Sequence, residues 1–180
     1  SEMCIRDRSQ GAHWSYSVGD FQLELLRVDA LSHLFGVIFT LITVIGVLYA
    51  WPAVQRGEHS AALVSAGGAM GVVYAGDWIS AFVWWELMAL ASVIVIWSGD
   101  TPRALTAGYR YVFVHVTGGG LFFAGLLVHL AFGGSMALGP LNESGGWAYG
   151  LILTAFAINA AIPPFHAWLV DAYPEASVSG

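Results

Sequence analysis

The chain has no lysine, a single cysteine and few charges of either sign. Charged residues make up 10% of its 180 residues, and twelve acidic residues against six arginines give a net charge of −6. A nucleic-acid-binding protein needs a basic surface, so this balance excludes nucleic acid as a partner. Cys4 alone cannot form an intrachain disulfide, and the histidines form no zinc spacing with it. We therefore expect no metal site, and no cofactor, since no Gly-x-Gly-x-x-Gly follows a strand.

Apolar residues, in contrast, are abundant: they make up 57% of the chain, and the mean hydropathy is +0.69. A helix needs roughly 20 apolar residues to cross a bilayer. The sequence predicts an all-α membrane protein with five transmembrane helices, at residues 29–50, 60–76, 79–98, 106–132 and 147–170. The lipid bilayer is thus a predicted partner, and we expect a multi-pass protein of a bacterial-type inner (plasma) membrane.

Residues 1–28 are predicted to lie outside the membrane, and residues 29–180 to form the transmembrane domain. Residues 1–9 lack the apolar run of a signal peptide and resemble a translated sequencing adapter, so we expect them to be non-native. Arg56, Arg103 and Arg110 fall on one predicted side, which the positive-inside rule makes the inner side. The first helix is therefore expected to begin outside.

Glycines mark two further features of the pattern. Gly67 and Gly71 lie four residues apart in the second predicted helix, a spacing that lets a neighbouring helix approach closely in lipid. The glycine-rich stretch 133–146, which contains Glu143, is predicted to be an exposed loop.

Glu86 lies in the third predicted helix, about 4 Å to the outer side of its midpoint at 1.5 Å per residue. A carboxylate at this depth costs at least about 2.5 kcal/mol to insert, so it needs a partner, a water cavity or a function. Glu86 is therefore a candidate proton relay. The alternative is a protonated, hydrogen-bonded glutamic acid with a structural role.

Two adjacent prolines, Pro163 and Pro164, interrupt the fifth predicted helix. Proline has no amide hydrogen, so the carbonyls of Asn159 and Ala160 lose their helical donors and the helix must break. The broken turn has to face protein or water, and such discontinuous helices bind ions in transporters. Asn159 lies within about 5 Å of Glu86 along the membrane normal, so the two residues are candidates for one hydrated cavity. A merely kinked helix is the alternative.

Other polar side chains near the break are candidates for a proton pathway. His115 lies roughly 7 Å to the inner side of the midpoint of its helix, within reach of Glu86 through water. His166 follows the prolines and can titrate near neutral pH. Asp171 and Glu175 come after the break, where they either guide protons or form a solvated loop.

Residues 60–180 resemble the antiporter-like membrane subunits. That family includes a large ion-translocating component of multisubunit sodium/proton antiporters and the three large pump subunits of proton-translocating NADH:quinone oxidoreductase (complex I). The resemblance is carried by four motifs: Gly76-Asp-Trp, Trp85-Glu86-Leu-Met, Tyr109-Arg-Tyr and Pro163-Pro-Phe-His-Ala-Trp-Leu-Val-Asp-Ala-Tyr-Pro-Glu-Ala176. It implies a fold of fourteen helices with two inverted five-helix repeats, of which this chain would hold the third to seventh helices and be truncated at its end, Gly180.

The resemblance also implies roles for residues. Glu86 matches the family's proton-transferring glutamate, and Asn159 occupies the position of a lysine on the broken helix, which leaves that glutamate without its usual charge partner here. His166 matches the family's histidine after the first prolines, whereas Val170 replaces the usual second proline.

We therefore expect an ion-translocating subunit of a multisubunit sodium/proton antiporter, a transporter component that moves protons through Glu86. Its expected partners are other hydrophobic subunits, protons and sodium. One alternative is a proton-pumping subunit of complex I, which would make it part of a redox enzyme without redox chemistry of its own. A second is a structural membrane scaffold. A haem clamped between His115 and His129 is excluded, because they lie about 21 Å apart along one helix.

Overall fold

The computed structural model describes residues 11–18, 21–51, 56–139, 141 and 145–176. The expectations for residues 1–9, for Glu143 and for the end at Gly180 lie outside the described residues. The elements, in chain order, are strands β1 (Gly11–Val18) and β2 (Phe21–Val28), helices α1 (Ala30–Ala50), α2 (Arg56–Tyr74), α3 (Trp78–Trp97), α4 (Pro102–Ala131), α5 (Gly145–Asn159) and α6 (Ala167–Ala172), and a 3₁₀ turn at Tyr173–Glu175.

The mostly helical fold confirms the predicted fold class. Among the described residues, three helices are long and apolar enough to cross a membrane: α1, α3 and α4. Helix α2 begins at Arg56, four residues before the predicted start, because the polar stretch ahead of the apolar run is itself helical. Helix α5 is a shorter apolar helix that ends before the two prolines, and α6 follows them.

Side-chain caps define where α1, α3 and α4 begin. Asp29 accepts a hydrogen bond from the backbone N–H of Ser32 at 2.7 Å, and the Ser32 hydroxyl accepts one from the Asp29 backbone at 2.8 Å. This reciprocal pair satisfies donors that the first helical turn leaves free. The bond from the Ser32 backbone is the main reason why the pKa of the exposed Asp29 carboxyl is lowered. Asp77 and Thr101 begin α3 and α4 with one half of this arrangement: their side chains accept hydrogen bonds from the backbone N–H groups of Ser80 and Ala104.

An antiparallel hairpin of β1 and β2 precedes the helices and was not predicted. Asp77, which is fully buried, attaches it to the bundle. The Asp77 carboxylate accepts hydrogen bonds from the Glu24 backbone and from both the backbone N–H and the hydroxyl of Ser80, each at 2.7 Å. Trp78 and Gly76 also bond to the loop after α4, through Met136 and Leu138. The predicted loop is therefore hydrogen-bonded to this junction at Met136 and Leu138, while residues 133, 135, 137 and 139 are exposed.

The centre of the bundle lies between α3, α4 and α5. The rings of Trp85, Phe122 and Phe156 meet there, with centroids 5.0 to 5.5 Å apart. Such aromatic contacts stabilise by about 1 kcal/mol beyond the area they bury. Helix α5 lies against the backbone of α4 at Gly125, where an added Cβ would come within 2.7 Å of Ile152.

Helices α1 and α2 form the side of the bundle away from α5. Gly68 and Gly71 face α3, where added side chains would overlap Met88 and Trp84, whereas Gly67 faces open space. Helix α2 therefore approaches α3 closely, as predicted, but through Gly68 and Gly71, which are three residues apart, and not through Gly67. Helix α1 is the least buried of the three long apolar helices, with 11% of its apolar window buried, as expected for a surface that meets lipid or another subunit.

Candidate functional site

Helix α5 ends at Asn159, four residues before the first proline. The backbone N–H of Ala161 bonds to the Ile158 carbonyl, and that of Ile162 bonds to the Ala157 carbonyl. This pair of bonds is the Schellman arrangement, which needs one residue in the left-handed conformation. Here that residue is Ala161, with φ of +51°, whereas the same arrangement at the end of α4 uses Gly133, with φ of +81°.

Helix α6 continues along α4 after the break. Its Trp168 donates an indole N–H to the carbonyl of Ile158, at 2.9 Å. The backbone carbonyl of Ile158, before the break, therefore accepts a hydrogen bond from Trp168, which lies after it. The Trp168 ring also packs edge-on against the rings of Tyr111 and His115 on α4, with centroids at 5.4 and 4.7 Å.

Glu86 lies in the interface between α3 and α4. Its Oε1 atom is buried, has no hydrogen-bond partner among the described residues, and occupies the space that a side chain at Gly119 would fill. The rest of the residue is partly buried. A charged oxygen in such a place is unfavourable by several kcal/mol, roughly, whereas a neutral carboxylic acid is tolerated far better. The alternative drawn from the sequence was a protonated, hydrogen-bonded glutamic acid with a structural role. Among the described residues, no group forms a hydrogen bond with Oε1 of Glu86.

The broken helix approaches the neighbouring glycine. A Cβ on Gly118 would lie 3.5 Å from the side chain of Ile158, the residue just before the end of α5. Glu86 and the end of α5 thus contact two consecutive, buried glycines of α4 from different sides. Glycine makes this possible because it lets backbone and side chains approach closely.

His115 lies one turn before Gly119 on the same face of α4, about 6 Å along the helix axis. Its ring is buried and stacked on Tyr111, with centroids 3.8 Å apart. Its Nδ1 is 2.9 Å from the Tyr111 carbonyl. Because a carbonyl only accepts, Nδ1 carries the proton in the neutral ring and Nε2 holds the free lone pair. The imidazole can therefore take up a proton at Nε2.

The other three candidates lie at or after the end of α5. Asn159 is the last residue of α5 and is partly exposed, and His166 is exposed immediately before α6. Asp171 forms an ion pair with Arg110 at 2.7 Å, near the end of the bundle where α4 begins, here called the arginine end. The structure therefore groups Glu86, His115 and the end of α5, and separates Asp171 from them.

A cavity of about 440 Å³ lies on the side of α2 and reaches Tyr111 and Trp168, whose rings contact His115. Its polar lining includes Ser65 and Ser92, whose hydroxyls are 2.8 Å apart, and its wall includes Tyr111 and Trp168. The cavity is roomy enough for several waters and has polar partners for them. It is bordered by the rings that hold His115.

Sequence reasoning missed three residues of this site. Trp168 lies inside the last of the four family motifs, but its contact with Ile158 depends on how the chain turns after the prolines. Tyr111 closes the motif Tyr109-Arg-Tyr, but its stacking on His115 depends on how the two rings pack. Gly119 is part of the run Gly118 to Gly120, which is unusual inside an apolar helix and is the one signal that could have predicted a close contact.

Comparisons with known proteins agree on the fold and the family. Residues 75–180 match the model of the family described as NADH:quinone oxidoreductase/Mrp antiporter, TM. The chain is 30% identical over 176 residues to NADH-quinone oxidoreductase subunit M of Escherichia coli, an alignment that covers 86% of this chain and 34% of that protein. The chain thus spans about a third of the length of this relative.

Solved structures show the same helix arrangement. A chain of the Mrp complex from a Dietzia species superposes with a TM-score of 0.78 at 24% identity, covering 86% of this chain and 31% of the other. A chain of the archaeal membrane-bound sulfane sulfur reductase superposes with a TM-score of 0.79 at 21% identity, covering 93% and 36%. Since the family model covers more than half of the sequence, the chain belongs to the membrane-spanning NADH:quinone oxidoreductase/Mrp antiporter family.

Proposed function

We propose that this chain is part of a proton-translocating membrane subunit, in which Glu86 is the carboxyl that takes up and releases protons. The observation that carries the proposal is the buried Oε1, which has no partner in the described part of the chain and lies against Gly119, beside the broken helix. An ionisable group inside a membrane helix is costly and indicates a function by default. A purely structural acid would be expected to have its hydrogen bonds made.

His115 is proposed as the next proton carrier. Its Nε2 is the acceptor left free when Nδ1 bonds to Tyr111, and it lies one helical turn from the glycine that Glu86 contacts. One or two waters span such a distance, and in this proposal they enter from the cavity that Tyr111 and Trp168, the two rings in contact with His115, help to line. Asn159 cannot titrate, so in this proposal it contributes hydrogen bonds to water and no charge.

The remaining candidates are proposed to act at the arginine end. Asp171 and Glu175 lie there with Arg103 and Arg110 around a pocket of about 470 Å³. Both carboxylates are partly exposed, and carboxylates that exchange protons with water are suited to an entrance. His166, exposed beside the break, would stand between this entrance and the buried group.

Two host assemblies are candidates, a multisubunit sodium/proton antiporter and complex I, since the description of the family names both kinds of protein. The identity to a subunit of NADH-quinone oxidoreductase favours complex I. In either assembly the partners would be lipid and other hydrophobic subunits, in a bacterial-type inner membrane. Proton flux that depends on a sodium gradient would support the antiporter, and flux that depends on NADH and quinone would support complex I.

The test is a Glu86→Gln substitution in the intact membrane complex, with proton flux measured in everted vesicles. Glutamine keeps the shape and removes the exchangeable proton, so we expect flux to be lost. Glu24→Gln, in the hairpin outside the helices, is the matched control and should leave flux unchanged. Normal flux with Glu86→Gln would contradict the proposal and favour a scaffold.

A further inference from the structure

Gly118, Gly119 and Gly120 are consecutive on α4 but meet different surroundings. A side chain at Gly120 would meet nothing within 4 Å, and one at Gly118 would make ordinary contact with Ile158. A side chain at Gly119 would overlap Oε1 of Glu86. Only the middle glycine therefore forms a notch that the carboxyl enters.

The notch is an unfavourable place for a charge. Oε1 is cut off from water there and has no donor among the residues that the structure describes. A neutral acid loses a few kcal/mol at most, roughly, under these conditions, and a carboxylate loses far more. The seated carboxyl is consequently the protonated one, and a deprotonated carboxyl gains hydration by rotating out.

No fixed positive charge on the described helix segments around the notch offsets this preference. Glu86 is the one acidic or basic side chain of α3, and α4 brings His115 one turn away. The part of α5 that lies against α4 ends in the neutral Asn159, and residues 60–73 of α2 contain no ionisable side chain. The imidazole is therefore the group to which a carboxyl leaving the notch can pass its proton.

We propose that Gly119 is a positioning residue, whose missing side chain provides a seat for the protonated carboxyl of Glu86, and that the carboxyl leaves this seat when it releases its proton. This inference rests on the proposed function, because it assigns Glu86 two positions in one transfer cycle. The proton balance is simple: Glu86 gives one proton to water or to His115 and later receives one. No covalent bond other than O–H and N–H changes.

The experiment is infrared difference spectroscopy on the intact complex, with Glu86→Gln used to assign the band of the protonated carboxyl. A carboxylic acid whose carbonyl accepts no hydrogen bond absorbs at higher wavenumber than a hydrogen-bonded one. In the natural protein we expect the carbonyl band of Glu86 at the higher wavenumber, that of an acid whose carbonyl accepts no hydrogen bond. Gly119→Ala should shift the band to lower wavenumber, because the added methyl group expels the oxygen toward water. Gly120→Ala, the matched control, should leave it in place.

Proton flux gives the second readout. Misplacing a proton-transferring group by about 1 Å can slow a reaction on the order of a hundredfold, so we expect Gly119→Ala to lower flux by roughly tenfold to a hundredfold and Gly120→Ala to leave it unchanged. If the Glu86 carbonyl band of the natural protein lay at the lower wavenumber of a hydrogen-bonded acid, the proposed seat at Gly119 would be wrong. This outcome can be measured even if the Gly119→Ala variant fails to assemble. Flux and band unchanged by Gly119→Ala would also overturn it, while lost flux in Glu86→Gln would still support the proposed function.

Discussion

Trp168 donates its indole hydrogen to the backbone carbonyl of Ile158 across the broken segment, at 2.9 Å. The bond crosses the interruption, because it joins the last turn of α5 to the first turn of α6. The same indole ring packs against His115, so one side chain connects the break to the proposed proton carrier.

Replacing Trp168 by phenylalanine should lower the free energy of unfolding by about 1 kcal/mol, the net value of one hydrogen bond. The aromatic contacts with Tyr111 and His115 would largely remain. Trp97→Phe is the matched control, because the Trp97 indole nitrogen is buried without a partner in the described residues. Thermal unfolding in detergent should show a loss for Trp168→Phe and little or none for Trp97→Phe, and equal losses would contradict the bond.

The left-handed residue at the end of α5 offers a second prediction. A residue with a Cβ is strained by roughly 1–2 kcal/mol in the left-handed conformation. Glycine removes this strain, but it also loses more conformational entropy on folding than alanine does, which offsets part of the gain. We therefore expect Ala161→Gly to stabilise the protein by about 1 kcal/mol or less. Ala160→Gly, at negative φ, should destabilise it by about the same amount. If both substitutions lowered the unfolding midpoint alike, α5 would not end in this turn.

Asp77 should prove structural, despite being a buried acid in a family motif. Its two oxygens accept three hydrogen bonds, whereas asparagine has one acceptor oxygen and turns an amide toward the remaining donors. Asp77→Asn should therefore cost about 2 kcal/mol or more and speed hydrogen exchange at the Glu24 amide. Asp100→Asn, at the exposed other end of α3, should change neither quantity. Unchanged hydrogen exchange at the Glu24 amide would show that the hydrogen bond from this amide to the Asp77 carboxylate is absent.

Local patterns predicted much of this fold because they act along a single helix. Long apolar runs indicated the helices, and Pro163 and Pro164 indicated the break, since a missing amide hydrogen disrupts a helix wherever it packs. The break itself begins earlier than the prolines, at Asn159, because the turn that precedes them also needs its carbonyls satisfied. The start of α2 was misplaced because polar residues at Glu58 and His59 can extend a helix beyond its apolar part.

The hairpin was not predicted, although residues 12–18 and 21–25 alternate between apolar and polar side chains on either side of Gly19-Asp20, a pattern typical of two paired strands. Its attachment to the helices could not be predicted, because it depends on Asp77, which lies 53 residues after its bonded partner Glu24. The sequence by itself determined the membrane-spanning class, the family resemblance, the interrupted helix and the anomalous Glu86, since each depends on hydropathy or on a backbone rule. Only the tertiary structure decided that Glu86 enters the notch at Gly119 and that Trp168 reaches Ile158. Those contacts join different helices, and helix rotation and depth are set by packing that no single segment encodes.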